Sequence, residues 1–369
     1  MMKDVTENSS PENLRKFIES NDPAMILMGL SMAKGNANTS RGNLGRILGL
    51  YMFHDDKNIR ASSKAAFTKL ASSDSKKIVK EYWQAEYRNQ SWIWESGWIK
   101  NILTKIDGAG INPFYILVGA LEKKDYEIEV QIIKIIESWN ISATMQQTLD
   151  DETSEVIINA LFQMIAARTS KRSYWKPDFT NEIKAIRIIE AIGGEQSLEA
   201  FIKILESDYV YPSTGFLRLT ETVVNALGAL GNIRAVEPLI RQLSDKNKIE
   251  VVSKALGIIG DAKAVEPLIG AIEIIFSDSS YYRKKCTELA KALGKLGDIR
   301  AIEPLVKGLD INSLNIEERT SITDSISLIL ERLEIDIKEI NNLKRFLTGQ
   351  DPGMRTMGLS MLKGILKDV

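Results

Sequence analysis

The sequence has very few of the side chains from which catalytic and metal sites are most often built. Its 369 residues include one cysteine, Cys286, and one histidine, His54. A single cysteine excludes an intramolecular disulfide and fits a reducing compartment. One histidine and one cysteine are too few for a His/Cys metal site. We therefore expect no metal and no cofactor.

The sequence also lacks an excess of one charge and any long apolar run. The formal net charge is −1, so no bulk electrostatic field attracts nucleic acid or a membrane surface. No stretch approaches about 18 uninterrupted apolar residues, and residues 1–10 contain no apolar signal-peptide core. These absences predict a cytoplasmic protein with no membrane contact, for which nucleic acid is a disfavoured partner.

The two scarce reactive residues both have structural interpretations. His54 precedes Asp55 in a polar stretch, which favours a histidine that caps a turn over one that acts as a base. Cys286 follows a basic run that could lower its pKa. Its spacing to Leu289 and Leu293 nevertheless places it on an apolar helix face, which favours a packed thiol. We expect no catalytic residue and no enzymatic activity.

Internal repetition is the strongest signal in the sequence. The pattern A-L-G-x-[LI]-G-[ND]-x-[RK]-A-[VI]-E-P-L occurs in three segments, 225–239, 254–268 and 291–305. A weaker copy lies upstream, where Gly193 and Glu199 stand in the places of the second glycine and the glutamate. The pattern predicts the end of one helix, a tight turn and the start of the next helix.

Each conserved position of the repeat has a predicted structural role. The second glycine suits a left-handed helix end, and the Asn or Asp after it suits an N-cap. The first glycine lies inside a helix, where glycine costs about 1 kcal/mol relative to alanine, so its recurrence predicts a close approach of two helices. The recurrent glutamates are interpreted as structural residues that cap or bridge neighbouring repeats; they are Glu237, Glu266 and Glu303.

This pattern resembles the HEAT-like repeats of the phycobiliprotein-lyase (PBS-lyase) type, and the close match covers residues 220–310. The resemblance implies an all-α fold, a right-handed α-solenoid of about nine or ten helical hairpins. It is specific for the fold and unspecific for function. The predicted divisions are a capping hairpin at 1–35, a candidate linker at 36–45, divergent repeats at 46–193, regular repeats at 194–333 and a second capping hairpin at 334–369.

A dense aromatic segment interrupts the divergent repeats. Trp94 and Trp98 stand four residues apart and would share a helix face. A thick core is one interpretation of the segment, and an aromatic groove for a ligand, peptide or base is the other. The groove hypothesis includes similarity to HEAT-like DNA glycosylases, against which the neutral charge counts. Its residues are Trp83, Trp92, Trp94 and Trp98.

Three hairpins carry long insertions, at 168–179, 208–216 and 277–285. Insertions at the same point of a repeat emerge on the same edge of a solenoid. Tyr, Trp and Arg are the residues enriched at binding hot spots, so either a contact edge or ordinary solvated loops are predicted here. The candidate contacts are Arg172, Tyr174, Trp175, Lys176, Tyr209, Tyr211, Tyr281, Tyr282, Arg283 and Lys284.

A mildly basic stripe is predicted along the second helices of the hairpins. Alignment of the repeats places Arg187, Asn225, Lys254 and Lys291 at one structural position. If the second helices line the concave face, this stripe would contact a partner, whereas a solvated helix face is the plainer interpretation. The sequence predicts a non-catalytic protein-interaction or scaffold protein. The alternatives are a bilin-lyase-like or chaperone-type accessory factor and a nucleic-acid-binding protein.

The two ends of the chain resemble each other. Met25, Met28 and Met32 recur at the same spacing as Met354, Met357 and Met361, and Gly29 and Gly358 lie beside them. Each set forms an apolar stripe on a helix. The stripes either pack on their own neighbouring helices or pair end to end in self-association, because methionine fits exchangeable partners.

Overall fold

The computed structural model describes residues 11–35, 40–82, 97–122, 124–138, 151–169, 179–207, 214–277, 285–309, 311, 314–349 and 351–367. The chain forms two compact units, residues 1–192 and residues 193–369. The described residues contain twenty α-helices, three short 3-10 turns and no strand. Consecutive helices pair into hairpins, and the predicted all-α solenoid class is confirmed.

The first unit contains ten of these helices in five hairpins. Residues 41–45 of the candidate linker form the first turn of a helix, which the side chain of Ser40 caps through the backbone N–H of Asn43. The helices are α1 (Pro11–Ile18), α2 (Pro23–Gly35), α3 (Arg41–Phe53), α4 (Lys57–Leu70), α5 (Ser73–Tyr82), α6 (Gly97–Gly108), α7 (Phe114–Leu121), α8 (Tyr126–Ser138), α9 (Asp151–Thr169) and α10 (Thr180–Ile192).

The second unit contains the other ten helices in five hairpins. In three of these hairpins a short 3-10 turn precedes the first helix of the pair. The turns are Ile233–Ala235, Ala262–Ala264 and Ile299–Ala301. The helices are α11 (Gly194–Glu206), α12 (Thr214–Leu230), α13 (Val236–Gln242), α14 (Ile249–Ile259), α15 (Val265–Ser277), α16 (Cys286–Leu296), α17 (Ile302–Leu309), α18 (Ile316–Arg332), α19 (Ile337–Leu347) and α20 (Pro352–Ile365).

Two helices that are distant in sequence pack backbone to backbone in the first unit. A Cβ placed on Gly49 of α3 would lie 2.8 Å from the carbonyl oxygen of Tyr115 in α7. A Cβ on Gly119 of α7 would lie 3.4 Å from the Cα of Gly49. The glycines therefore bring α3 directly against α7, although the hairpin of α5 and α6 lies between them in sequence.

The turns of the second unit follow the chemistry that the repeat predicts. Gly260 and Gly297 end α14 and α16 in the left-handed conformation, with φ of 78° and 74°. Asp261 and Asp298 then cap the following 3-10 turns by accepting a hydrogen bond from the backbone N–H two residues later. These turns fold each second helix back into the next hairpin, as predicted.

The first and last hairpins share one packing arrangement. A Cβ on Gly29 would lie 2.7 Å from the Cβ of Phe17, and a Cβ on Gly358 would lie 2.9 Å from the Cβ of Phe346. The methionines beside these glycines point away from the contact. Met28 and Met357 are 46% and 57% exposed, so the interpretation that both stripes pack on their neighbouring helices is wrong at these positions. Gly29 and Gly358 therefore make close hairpin contacts, whereas Met28 and Met357 lie at the surface.

Candidate functional site

In the second unit, the second helix of each regular hairpin packs closely against the second helix of the next hairpin. Small residues make these contacts. The Cβ positions of three successive glycines lie 3.1, 2.9 and 2.8 Å from the Cα atoms of Ala255, Ala292 and Ser325 on the next second helix. The predicted close approach at the first repeat glycine is confirmed. These three glycines are Gly228, Gly257 and Gly294.

Beside these glycine contacts, each second helix exposes side chains at equivalent positions. Together these side chains form a row, which we call the second-helix face. The residue before each small contact residue is exposed, and so is the residue three positions after it. Two of these residues are large and apolar, Ile258 at 50% and Leu328 at 43% exposure. The face consists of Asn225, Lys254, Ile258, Lys291, Lys295, Asp324 and Leu328.

The charges on the second-helix face are only partly neutralised within the described residues. Lys291 donates to Oε1 of Glu288 at 2.7 Å, within its own helix. Asp324 pairs with Lys344 at 3.1 Å. The aliphatic stem of Lys295 lies beside Gly257, with its Cδ 3.7 Å from the Cβ position of that glycine. The face therefore combines apolar side chains with a cluster of lysines on a close-packed support.

Only some of the predicted site residues lie within the described part of the chain. Asn225, Lys254 and Lys291 are exposed on three successive second helices, and Arg187 is exposed on α10 of the first unit. Trp98 belongs to α6. The remaining predicted contacts lie outside the described residues; they are Trp83, Trp92, Trp94, Arg172, Tyr174, Trp175, Lys176, Tyr209, Tyr211, Tyr281, Tyr282, Arg283 and Lys284.

Of the three recurrent repeat glutamates, Glu266 bridges neighbouring repeats, as interpreted from the sequence. Oε1 of Glu266 on α15 accepts a hydrogen bond from Nη1 of Arg300 at 2.6 Å, and Arg300 belongs to the turn of the next repeat. The equivalent Glu199 accepts from Arg234 in the same way. Glu303 instead pairs with Lys307 within one helix. The pairs made by Glu199 and Glu266 are exposed and join neighbouring repeats.

The two reactive residues have the structural roles predicted for them. Cys286 is fully buried at the start of α16. Nδ1 of His54 accepts a hydrogen bond from the backbone N–H of Asp56 at 3.0 Å, and the backbone N–H of His54 closes α3 on Leu50. His54 thus organises the turn between α3 and α4.

A polar cleft in the first unit is the feature that the sequence did not predict. It has a volume of about 1000 Å³ and is lined by residues of α1, α2, α3, α7, α8 and α9 together with the turns beside them. Its charged lining residues are Arg15, Glu19, Arg46, Asp55, Glu122, Lys124, Glu129 and Glu155. We call this the first-unit cleft.

Two arginines organise the carboxylates of the first-unit cleft. Arg15 donates from Nε to Glu19 at 3.0 Å and from Nη2 to Glu155 at 3.2 Å, which ties α1 to α9. Arg46 donates from Nη2 to Oε1 of Glu122 at 2.8 Å. Burial raises the pKa of Glu19 despite the opposing charges of Arg15 and Arg46. The cleft is therefore desolvating enough to penalise a carboxylate that already has a partner.

A buried tyrosine also takes part in the hydrogen bonds between Arg15 and the glutamates around it. Tyr115 is 1% exposed, and its hydroxyl donates to Oε1 of Glu152 at 2.9 Å. Burial and this hydrogen bond raise the pKa of Tyr115 above its ordinary value, so the hydroxyl is a permanent donor near neutral pH. The carboxylate of Glu152 in turn lies 3.7 Å from Nε of Arg15.

One sequence signal could have pointed to the cleft. Arg46 interrupts the apolar run of α3, between Leu44 and Ile47, and is only 8% exposed. A buried arginine within an apolar run requires a carboxylate or another acceptor nearby. That acceptor, Glu122, stands far along the chain, so the sequence alone could not identify it.

The described part of the chain contains no group of three or more His, Cys, Asp or Glu side chains placed to hold one metal ion. None of its helices is long and apolar enough to cross a membrane.

The stacked hairpins define the class of the molecule as an α-helical repeat protein. The family model of the PBS lyase HEAT-like repeat matches residues 221–245 and 287–310, so these two stretches of the second unit are similar to HEAT-like repeats of the PBS-lyase type. The middle copy at 254–268 lies outside both matches, yet it has the same capped turn and glycine contact.

The comparisons with whole proteins are weaker. A search of curated proteins finds no match. This chain is similar, at a TM-score of 0.39 and 12% identity, to a chain from a solved structure in which Kap95p binding induces the switch loops of RanGDP to adopt the GTP-bound conformation. The similarity covers 98% of this chain and 52% of that chain, so the present chain spans about half of its length. A TM-score this low does not bear on function.

Proposed function

We propose that this protein is a non-catalytic interaction protein, a scaffold or adaptor, whose second-helix face binds a protein partner. The observation that carries the proposal is the pair Ile258 and Leu328, exposed in the same register on α14 and α18. Exposed apolar surface that is contiguous marks interaction sites, and the aliphatic stem of Lys295 on α16 lies between Ile258 and Leu328 in the same register. Lys254, Lys291 and Lys295 surround this pair.

The support beneath the face favours binding. Helices held at glycine, alanine and serine contacts cannot repack without a steric penalty, so the exposed row is preorganised before a partner arrives. A preorganised surface loses less conformational entropy on association. The lysines add electrostatic selection, because they attract carboxylates and repel basic surfaces. The partner that fits is a protein segment with apolar and acidic side chains.

The test compares two isoleucines of equal exposure. Ile258→Ser removes an apolar contact from the second-helix face, whereas Ile274→Ser removes one from α15, a first helix, where Ile274 is 53% exposed. Affinity capture from the native organism, quantified by mass spectrometry, identifies a protein that binds the wild type. Ile258→Ser and Leu328→Ser should each weaken its binding about tenfold, a change of 1.4 kcal/mol, and Ile274→Ser should not.

Charge reversal provides a second arm of the experiment. Lys254→Glu with Lys291→Glu should abolish binding of an acidic partner, whereas Lys263→Glu with Lys307→Glu, at exposed sites on the first helices and their turns, should leave binding unchanged. If the captured protein binds all of these variants equally, the second-helix face is not its binding site. Copurification of a coloured chromophore would instead favour the lyase-like alternative.

A further inference from the structure

The second-helix face has a regular spacing that limits which partner segment can lie across it. Ile258 on α14, Lys295 on α16 and Leu328 on α18 each follow by three residues the small residue that contacts the preceding second helix. We call these three residues the central row. From α14 to α16 and from α16 to α18, a glycine Cβ position lies only 2.9 and 2.8 Å from a Cα of the next helix. Helices in such close contact have axes about 8–9 Å apart, so the central row repeats at about that distance.

Polyproline II (PPII) is the regular backbone conformation whose side-chain spacing matches the central row. Three residues of PPII rise about 9 Å and return to the same face. Residues on one face of a β-strand are two apart, at about 6.7 Å. Residues on one face of an α-helix are three to four apart, at about 5–6 Å, or seven apart, at about 10.5 Å. A PPII segment that crosses the second helices therefore places every third side chain on the central row.

The charge of the row determines which side chain suits its centre. Lys295 is exposed between two apolar residues, and Lys254 is exposed one turn before Ile258. Within the described residues neither lysine forms an ion pair, whereas Lys291 is paired with Glu288. An acidic side chain opposite Lys295 complements this charge. A PPII backbone has no internal hydrogen bonds, so its carbonyl oxygens can accept from the three N–H donors of Lys254.

We propose that the second-helix face binds a PPII segment of a partner protein in which an apolar, an acidic and an apolar residue stand three positions apart. The acidic side chain pairs with Lys295, and the two apolar side chains contact Ile258 and Leu328. This inference rests on the proposed function of the second-helix face, and it adds the conformation, spacing and charge order of the partner segment.

The experiment measures fluorescence anisotropy with the labelled peptide Leu-Pro-Pro-Glu-Pro-Pro-Leu, which the prolines hold in PPII. Leu-Pro-Glu-Pro-Leu shortens the spacing, and Leu-Pro-Pro-Lys-Pro-Pro-Leu reverses the charge. An alanine-based helical peptide with leucine, glutamate and leucine on one face tests the helical alternative. The protein variant is Lys295→Glu, and its matched control is Lys263→Glu, at an exposed lysine in the turn before α15.

The wild type and Lys263→Glu should bind the first peptide about tenfold more tightly than the shortened, charge-reversed or helical peptide. Lys295→Glu should prefer the lysine peptide instead, at an unchanged melting temperature. Ile258→Ser and Leu328→Ser should each weaken binding of the first peptide, and Ile274→Ser should not.

Three results would overturn the proposal. They are no binding of the first peptide at millimolar concentration, equal or tighter binding of the shortened or helical peptide, and a Lys295→Glu variant that still prefers glutamate. A captured partner that needs Ile258, found together with any of these results, would overturn only this inference. A captured partner that binds Ile258→Ser and Leu328→Ser as it binds the wild type would overturn the proposed function.

Discussion

Gly294 lies so close to Ser325 on the next second helix that a Cβ added to it would stand 2.8 Å from the Cα of Ser325. Gly257 has the same relationship to Ala292, at 2.9 Å. Both distances are shorter than real Cβ contacts, so the two helices would have to separate to admit a methyl group. Glycine is therefore required here for packing, and not for a turn.

Gly294→Ala should destabilise the protein although alanine is the better helix former. Forcing one methyl into a close-packed contact costs about 1–3 kcal/mol. The matched control is Gly270→Ala in α15, where nothing lies within 4 Å of the Cβ position. That variant should gain about 0.5–1 kcal/mol. Urea unfolding measures both, and two changes of the same sign would contradict the packing argument.

The repeats were predictable because their determinants are local. Turn glycines, cap residues and a helix-interior glycine stand within one short motif, so each copy specifies its own hairpin without help from distant residues. From the same motif we predicted that Glu266 contacts a neighbouring repeat, but not which residue it contacts. Its partner, Arg300, depends on how successive hairpins stack, which a single motif does not specify.

Asp298 provides a test of the capped turn. It accepts the backbone N–H of Arg300 at 2.9 Å, and hydrogen bonds from the Arg300 guanidinium hold the pKa of Asp298 below its ordinary value. Asp298→Ala should cost about 1 kcal/mol through loss of the cap. Asp298→Asn should retain the cap, since Asn232 caps the equivalent turn.

The lowered pKa of Asp298 determines how the stability of these variants depends on pH. A carboxyl with a lowered folded pKa contributes stability above its unfolded pKa and loses it as pH falls through the folded value. The wild type should therefore exceed Asp298→Asn in stability at pH 7, and the difference should vanish at a pH below the lowered pKa. Thermal unfolding of both proteins from pH 7 to strongly acidic pH checks this, and a constant difference would contradict it.

The full lining of the first-unit cleft could not have been predicted, because it joins residues from distant parts of the chain. Arg46 of α3 meets Glu122 at the end of α7 because α3 packs directly on α7 across an intervening hairpin, and Arg15 of α1 meets Glu155 on the distant helix α9. No local pattern specifies that skipped contact. The glycines Gly45 and Gly49 permit it, but glycine in a helix does not identify its partner.

Glu19 gives the cleft a measurable pH signature. Burial raises its pKa above the ordinary value of 4.5, so the folded state favours the protonated carboxyl. The stability that protonation confers is present below the unfolded pKa and is lost as pH rises through the folded pKa. Glu19→Gln mimics the protonated form and can still accept from Arg15. The variant should therefore be more stable than the wild type at pH 7.5 and should match it near pH 4 in urea unfolding.

The control for that comparison is Glu137→Gln, which alters an ion pair with Lys184 away from the cleft. It should show no gain in stability at pH 7.5, because this pair is partly exposed and contributes little. A destabilised Glu19→Gln at pH 7.5 would mean that the ion pair with Arg15 outweighs desolvation.

The exposed methionines at the two ends allow a direct test of self-association. Met28→Glu and Met357→Glu should leave stability within about 0.5 kcal/mol of the wild type, since both side chains lie at the surface. Leu30→Glu and Leu362→Glu, at fully or almost fully buried positions of the same helices, should unfold or lose several kcal/mol because each buries an unpaired charge. If like ends pair, light scattering across a concentration series should show a mass that rises for the wild type and stays at 41.3 kDa for the double methionine variant. A wild type that remains monomeric at every concentration would contradict self-association through the methionine stripes.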